Sequence, residues 1–168
     1  MNQIEFCQAK LEFEIDSWDL SDAINSGQDV VIVDARSKEA FDAEHLPGAI
    51  SFPHQTMTSE TTALLDRAKL YVTYCDGIGC NASTKGALRL ATLGFAVKEL
   101  LGGLDWWRRD GYETYGANAR PGKTTRCACR HITGRCSGRP ALRPPRSKWS
   151  VQLERREKNR WIFSAGKD

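Results

Sequence analysis

Residues 29–35 read "DVVIVDA", in which Val30, Val31, Ile32 and Val33 follow one another without a polar break. Such a run predicts a strand buried on both faces, the kind found in a parallel sheet. "LYVTY" (70–74) predicts another, "AVKELLGG" (96–103) a last one, and "LPGAISFP" (46–53) a turn followed by a short strand. Helical spacing occupies the intervals. Leu20, Ala23 and Ile24 predict a short helix with Ser17 or Asp19 as its cap and Gly27 at its C-terminal end. "SKEAFDAEH" (37–45) predicts a helix capped by Ser37, and "TSETTALLDRA" (58–68) a further capped helix. "STKGALRLATLGF" (83–95) predicts one ending at Gly94, and "LDWWRRDGY" (104–112) a closing helix. Strands and helices alternate with short connections, which predicts an α/β domain with a mostly parallel central sheet flanked by helices.

The pattern stops near Gly116. "ANARPGKTTRCACRHITGRCSGRPALRPPRS" (117–147) is rich in Arg, Pro and Gly and nearly empty of large apolar residues. It cannot bury enough surface to offset the entropy of ordering it. Charge divides at the same place: residues 1–116 carry 10 Lys/Arg against 18 Asp/Glu, and residues 117–168 carry 14 against 3. The expected organisation is a domain over residues 5–115 and a basic Cys/Arg/Pro-rich tail of low order over 116–168. "KWSVQLERREKNRWIF" (148–163) has the pattern of a basic amphipathic helix that a partner would order.

Composition narrows the class. With 40% apolar and 27% charged residues the chain reads as an ordinary soluble protein. Met1–Ile15 lacks a basic segment followed by an apolar run, so no signal peptide is expected. No apolar stretch approaches the ~20 residues that span a bilayer, so no membrane partner is expected. A cytoplasmic location follows as the expectation, with thiols kept reduced.

The chemistry concentrates in "LYVTYCDGIGCNASTKGALRL" (70–90). Cys75 follows directly on a strand, and "DGIGCNA" leads into a helix; in open parallel sheets reactive groups sit at this junction. Gly77 and Gly79 allow the backbone to curl and turn N–H groups inward. Such donors, with the positive end of a helix starting near Ser83, are expected to stabilise an anion on sulfur and make Cys75 a nucleophile. The competing reading is a buried cysteine acting as a small hydrophobe. Cys80, four residues beyond Cys75's neighbour, is too distant for a C-x-x-C redox pair.

These residues carry a family resemblance. "VVIVDARSKEAFDAEHLPGAISFP" resembles the opening of a rhodanese domain: an apolar strand, Asp-x-Arg, a short helix, then His-Ile/Leu-Pro-Gly-Ala. "YVTYC" is similar to that family's strand into the catalytic loop, and "LLGGLDWWRRDGY" resembles its closing Gly-Gly, apolar residue and Trp. The three motifs stand in the family's order across residues 8–115. The resemblance implies a rhodanese-like, single-domain sulfurtransferase that accepts a sulfane sulfur on Cys75 as a persulfide and passes it to a thiophilic acceptor. Cys80 is the alternative nucleophile or a resolving thiol. The active-site loop would comprise Asp76, Gly77, Ile78, Gly79, Asn81, Ala82 and Ser83, with Lys85 one turn into the helix. Asp34 and Arg36 would tie neighbouring loops together, and His45 would stabilise a turn. The implied partners are a small-molecule or protein sulfur donor and a thiol acceptor; no cofactor and no metal are implied.

The chain also departs from the family. "CDGIGCNAS" is longer than the family's loop, has none of the Arg or Lys residues often found in it and contains Asp76, so efficient use of thiosulfate is not expected. A catalytically weak module for partner binding or thiol redox sensing is the alternative. A phosphatase of the related fold would need an Arg closing the loop, and none lies between Cys75 and Lys85. "GANARPGKTT" (116–125) fails as a phosphate loop, because five residues separate its glycines where four are required. Cys127, Cys129, His131 and Cys136 are zinc-ligand types, but their spacing is a poor match to a structural zinc knuckle. The basic tail is expected to touch nucleic acid only through nonspecific charge.

Overall fold

The computed structural model describes residues 1–123; the tail readings at Cys127, Cys129, His131, Cys136 and 148–163 lie outside the described residues. Five strands form one parallel sheet in the order β1-β5-β4-β2-β3. They are β1 (Glu14–Ile15), β2 (Val30–Asp34), β3 (Ile50–Ser51), β4 (Leu70–Tyr74) and β5 (Ala96–Leu100). The helices are α1 (Gln3–Phe13), α2 (Ser17–Asn25), α3 (Lys38–Ala43), α4 (Ala82–Thr92) and α5 (Gly103–Arg109). Both faces of the sheet are covered, as the unbroken apolar runs require. Ile32, Val72, Tyr74 and Leu100 pack on one side with Leu20, Leu46, Leu104 and Trp107. Val33 and Tyr71 pack on the other with Met57, Leu90 and Phe95. The parallel register, with Asp34 beside Tyr74 and Thr73 beside Glu99, leaves the ends of β2, β4 and β5 side by side, which is where the loops gather.

Several local expectations are corrected. The cap of α2 is Asp16, whose carboxylate accepts the Asp19 N–H at 2.8 Å, and neither Ser17 nor Asp19 takes that role. No helix forms over 58–68. Thr58 and Thr61 hydrogen bond to each other and to local backbone, and Thr62 donates to the Thr58 carbonyl; hydroxyls that satisfy the backbone this way compete with helix formation. A short 3-10 turn at His54–Thr56 is the only helical piece between β3 and β4. Helix α1 was not expected at all. Asn2 and Glu5 make a capping box at its start, yet none of its residues is buried. Residues 117–123 return to the domain: Ala117 and Asn118 donate to the carbonyls of Asp42 and Ala43, and Lys123 to that of Gly111.

Lys98 ties α1 and β1 to the sheet. It is 3% exposed, and its ammonium donates to the carbonyls of Leu11 at 2.8 Å and Glu14 at 3.0 Å. Burial pulls its pKa down to about 8 from 10.5, against the upward pull of Asp19 and Glu12. Below about pH 8 the fold therefore bears the full cost of a buried ammonium. As pH rises from there toward the unfolded value, the unfolded chain holds a proton that the folded chain lacks, and stability rises, by up to about 3 kcal/mol. Urea midpoints measured from about pH 7.5 to 9.5 should climb less steeply in Lys98→Met than in the native chain. Parallel slopes would contradict this assignment.

Candidate active site

The chain leaves β4 at Tyr74 and enters the loop 75–81 that precedes α4. Cys75 remains inside, 2% exposed. Its carbonyl accepts the Leu104 N–H at 2.9 Å, and the Asp76 carbonyl accepts the Asp105 N–H at 2.8 Å, so the first turn of α5 holds the start of the loop. Further on, the Cys80 N–H donates to the Gly77 carbonyl at 2.9 Å and folds the loop over the sulfur.

Around that sulfur the groups are mixed. The Cys75 thiol donates to the Cys80 carbonyl at 3.1 Å, with the Gly77 carbonyl at 3.7 Å. Ser83 Oγ lies 3.1 Å from Sγ, and the Ser83 backbone N–H also points at it. Ser83 in turn donates to Glu99 Oε1 at 2.6 Å, and Thr84 Oγ1 donates to the same oxygen at 2.8 Å. Burial pushes the Cys75 thiol up; Ser83 pulls it down, through its backbone N–H and to the extent that its hydroxyl turns from Glu99 toward the sulfur, and the neighbouring Cys80 thiol pushes it up again. The net direction is upward. The expected ring of donors that acidifies Cys75 is therefore not what surrounds it: carbonyls share the site, and desolvation outweighs the helix terminus. Both cysteines are free thiols.

The remaining loop residues face outward. Ile78 is 76% exposed, and Asn81 precedes α4 without a side-chain capping bond. Asp76 reaches back to Arg36, whose Nη1 donates to its carboxylate at 2.6 Å. Arg36 also grips Asp34 through Nε and Nη2 at 2.9 and 2.7 Å and donates to the Glu44 carbonyl at 2.6 Å. Lys85 is exposed, and its charge is felt, with that of Arg89, at His54. His45 donates from Nδ1 to the Phe41 carbonyl at 2.7 Å, stacks on Phe41 and pairs its backbone with Tyr115. These partners belong to α3 and to the segment after α5. Ala82 opens α4 and Gly79 has open space beside it.

A cleft of about 560 Å³ opens between the loop and α5, lined by residues 76–80 and by Asp105, Trp106, Arg108 and Arg109. Cys80 lines it, and Cys75 stands behind. Both arginines are engaged: Arg108 with Glu44 at 3.0 Å, Arg109 with Asp105 at 3.0 Å. Among the described residues no cluster of three or more His, Cys, Asp or Glu side chains is arranged to hold a metal. No described helix is long and apolar enough to cross a membrane. Sequence reasoning missed Glu99, Asp105 and the paired arginines. For Glu99 a signal existed, a carboxylate inside a strand read as buried, but only the fold brings it to Ser83.

Comparison with known proteins agrees with the fold. A Bacillus halodurans protein of known structure is 40% identical, with a TM-score of 0.66 over 69% of this chain and 85% of that one. A Lactobacillus plantarum protein is 29% identical, with a TM-score of 0.55 over 64% of this chain and 91% of that one. The thiosulfate sulfurtransferase of Pseudomonas aeruginosa is 27% identical, with a TM-score of 0.56 over 62% of this chain but 20% of its own length. A search of curated proteins finds no match. The family model for the rhodanese-like domain matches residues 18–110, from the start of α2 to the end of α5, and the parallel sheet with its cysteine-bearing loop after β4 thus belongs to a member of the rhodanese-like domain family.

Proposed function

We propose that this protein is a sulfurtransferase of the reducing cytoplasm, carrying a sulfane sulfur as a persulfide on Cys75. The observation that supports this reading is the position of Cys75 at the carboxyl end of β4, its sulfur on the first turn of α4 and a second thiol, Cys80, between it and an open cleft. Once ionised, Cys75 attacks the outer sulfur of a donor R–S–S⁻. A new S–S bond forms, the donor's S–S bond breaks, and its electron pair leaves with the donor thiolate. An acceptor thiolate then takes the outer sulfur and returns the electron pair to Cys75. Both arginines of the cleft are already paired, which supports an organic or protein persulfide as a better donor than the thiosulfate dianion.

The adjacency of the two thiols favours a second role for Cys80. Its thiolate can attack the inner sulfur of the persulfide, giving a Cys75–Cys80 disulfide and releasing hydrosulfide. That chemistry also suits the alternative reading, a weakly catalytic thiol-sensing module.

Intact-mass spectrometry of the full chain after incubation with cysteine persulfide, and separately with thiosulfate, tests the proposal. A one-sulfur gain that cyanide strips is expected, abolished by Cys75→Ser and retained in Cys80→Ser. Loss only in Cys80→Ser would move the nucleophile. No gain from either donor would leave the module reading in its place.

A further inference from the structure

Ser83 has one hydroxyl proton and two neighbours able to take it. On one side stands Glu99 Oε1 at 2.6 Å, on the other Cys75 Sγ at 3.1 Å. A hydroxyl donates one hydrogen bond and accepts up to two, so its proton fixes the polarity of the chain Cys75–Ser83–Glu99. A charge-assisted bond to carboxylate is the stronger claim on that proton. Ser83 is 2% exposed, so no water competes to reset it, and Thr84 Oγ1 at 2.8 Å anchors the same carboxylate oxygen.

We infer that Glu99, through Ser83, holds Cys75 as a neutral thiol: by taking the only proton of the Ser83 hydroxyl, it withholds from the sulfur the hydrogen bond that would stabilise a thiolate, and the Cys75 S–H stays on the Cys80 carbonyl. Glu99 is a positioning residue here, since it acts on the sulfur through another side chain. Its negative charge works in the same direction, because a second anion on sulfur would sit beside it at the other end of one short chain. The inference deepens the reading of Cys75 as the reactive thiol and rests on it only for its meaning in sulfur transfer; the ionisation itself is measured without any sulfur donor.

Other titratable groups sit on the elements packed around this network. Cys80 and Asp76 come from the loop, the latter held by Arg36, and Asp105 comes from α5, held by Arg109. Lys85 is carried on α4. Glu14 of β1 is the register partner of Glu99 and pairs with Lys10 at 2.5 Å. Lys98 precedes Glu99 on β5 and donates to carbonyls of Leu11 and Glu14. None of these is covalently changed by a substitution at Glu99, so the native chain is the reference for each.

The test is the pH dependence of iodoacetamide alkylation at Cys75 in the full chain, read as initial rates on the Cys75 peptide by mass spectrometry. Glu99→Gln keeps the shape and removes the charge. Its midpoint should fall by about one pH unit, giving roughly tenfold faster alkylation at pH 7, while the plateau rate at high pH stays as in the native chain. Glu99→Ala should move the midpoint in the same direction. A loosened fold would instead raise the plateau, because it acts on access and not on ionisation. In a Ser83→Ala background the shift caused by Glu99→Gln should shrink, since the hydroxyl that carries it is gone. An unchanged or raised midpoint in both Glu99 variants would overturn the inference, and a full-sized shift surviving in Ser83→Ala would overturn the route through Ser83. A failure of sulfur loading in the mass experiment would leave these midpoints untouched, so the two readings fail separately.

Discussion

Arg36→Met should destabilise the domain by about 3–5 kcal/mol, the range for removing one partner of a buried ion pair. Asp34 is 0% exposed and Arg36 8% exposed, and the guanidinium supplies two side-chain hydrogen bonds to that carboxylate, with a third from the Arg36 backbone N–H at 3.0 Å. Burial alone would make the guanidinium easier to deprotonate; Asp34 and Asp76 reverse this and hold its pKa above the ordinary arginine value. Without the cation, the buried Asp34 carboxylate loses its guanidinium partner, and the Glu44 carbonyl loses its donor. A domain of this size has only about 5–15 kcal/mol to lose. Lysine should not rescue it, because a single ammonium cannot form the fork that meets both carboxylate oxygens. Urea denaturation measures the effect. The double variant Asp34→Leu/Arg36→Met should recover part of the loss, because the cost lies in the orphaned charge. A single variant within about 1 kcal/mol of the native chain would show that Asp34 finds another partner.

Gly103→Ala should cost about 3 kcal/mol and release the loop as well. Gly103 has φ +54, in the left-handed region, and a Cβ there would meet the Cys75 carbonyl oxygen at 2.3 Å. No shift of a flexible side chain relieves that overlap, because the obstacle is backbone. The same carbonyl accepts the Leu104 N–H that fastens the loop to α5. Cys75 should therefore become accessible to alkylating reagents under native conditions at pH values where the native chain protects it. Gly79→Ala is the matched control, with nothing within 4 Å of the added Cβ, and should change stability by less than about 0.5 kcal/mol. Equal behaviour of the two variants would remove Gly103 from any role in holding the site.

What could be read in advance follows from where each signal lies. The strands β2 and β4 were legible because a strand covered on both faces carries a dense apolar run: Val30–Val33 is unbroken, and Leu70–Tyr74 is interrupted only by the β-branched Thr73. Helix α1 was not, because it buries nothing and so carries no apolar stripe to detect. Residues 58–68 read as a capped helix and became turns, since the hydroxyls of Thr61 and Thr62 found backbone partners nearby. Asp34 and Arg36 were visible through the family motif. That Arg36 also reaches Asp76, forty residues on, depends on β2 lying next to β4.

By itself the sequence determined the alternation of strand and helix, the place of Cys75 at the end of a strand, and the presence of a second thiol in the same loop. These are local facts, written in apolar runs and in spacing along the chain. Only the tertiary structure decided the state of that sulfur. Residues distant in sequence set it: α5 pins the Cys75 carbonyl, and Glu99 arrives on β5 to claim the Ser83 proton. The physical reason is that desolvation and hydrogen-bond polarity depend on everything that closes around a group, so a thiol's charge is a property of the packed interior and not of its neighbours in the chain.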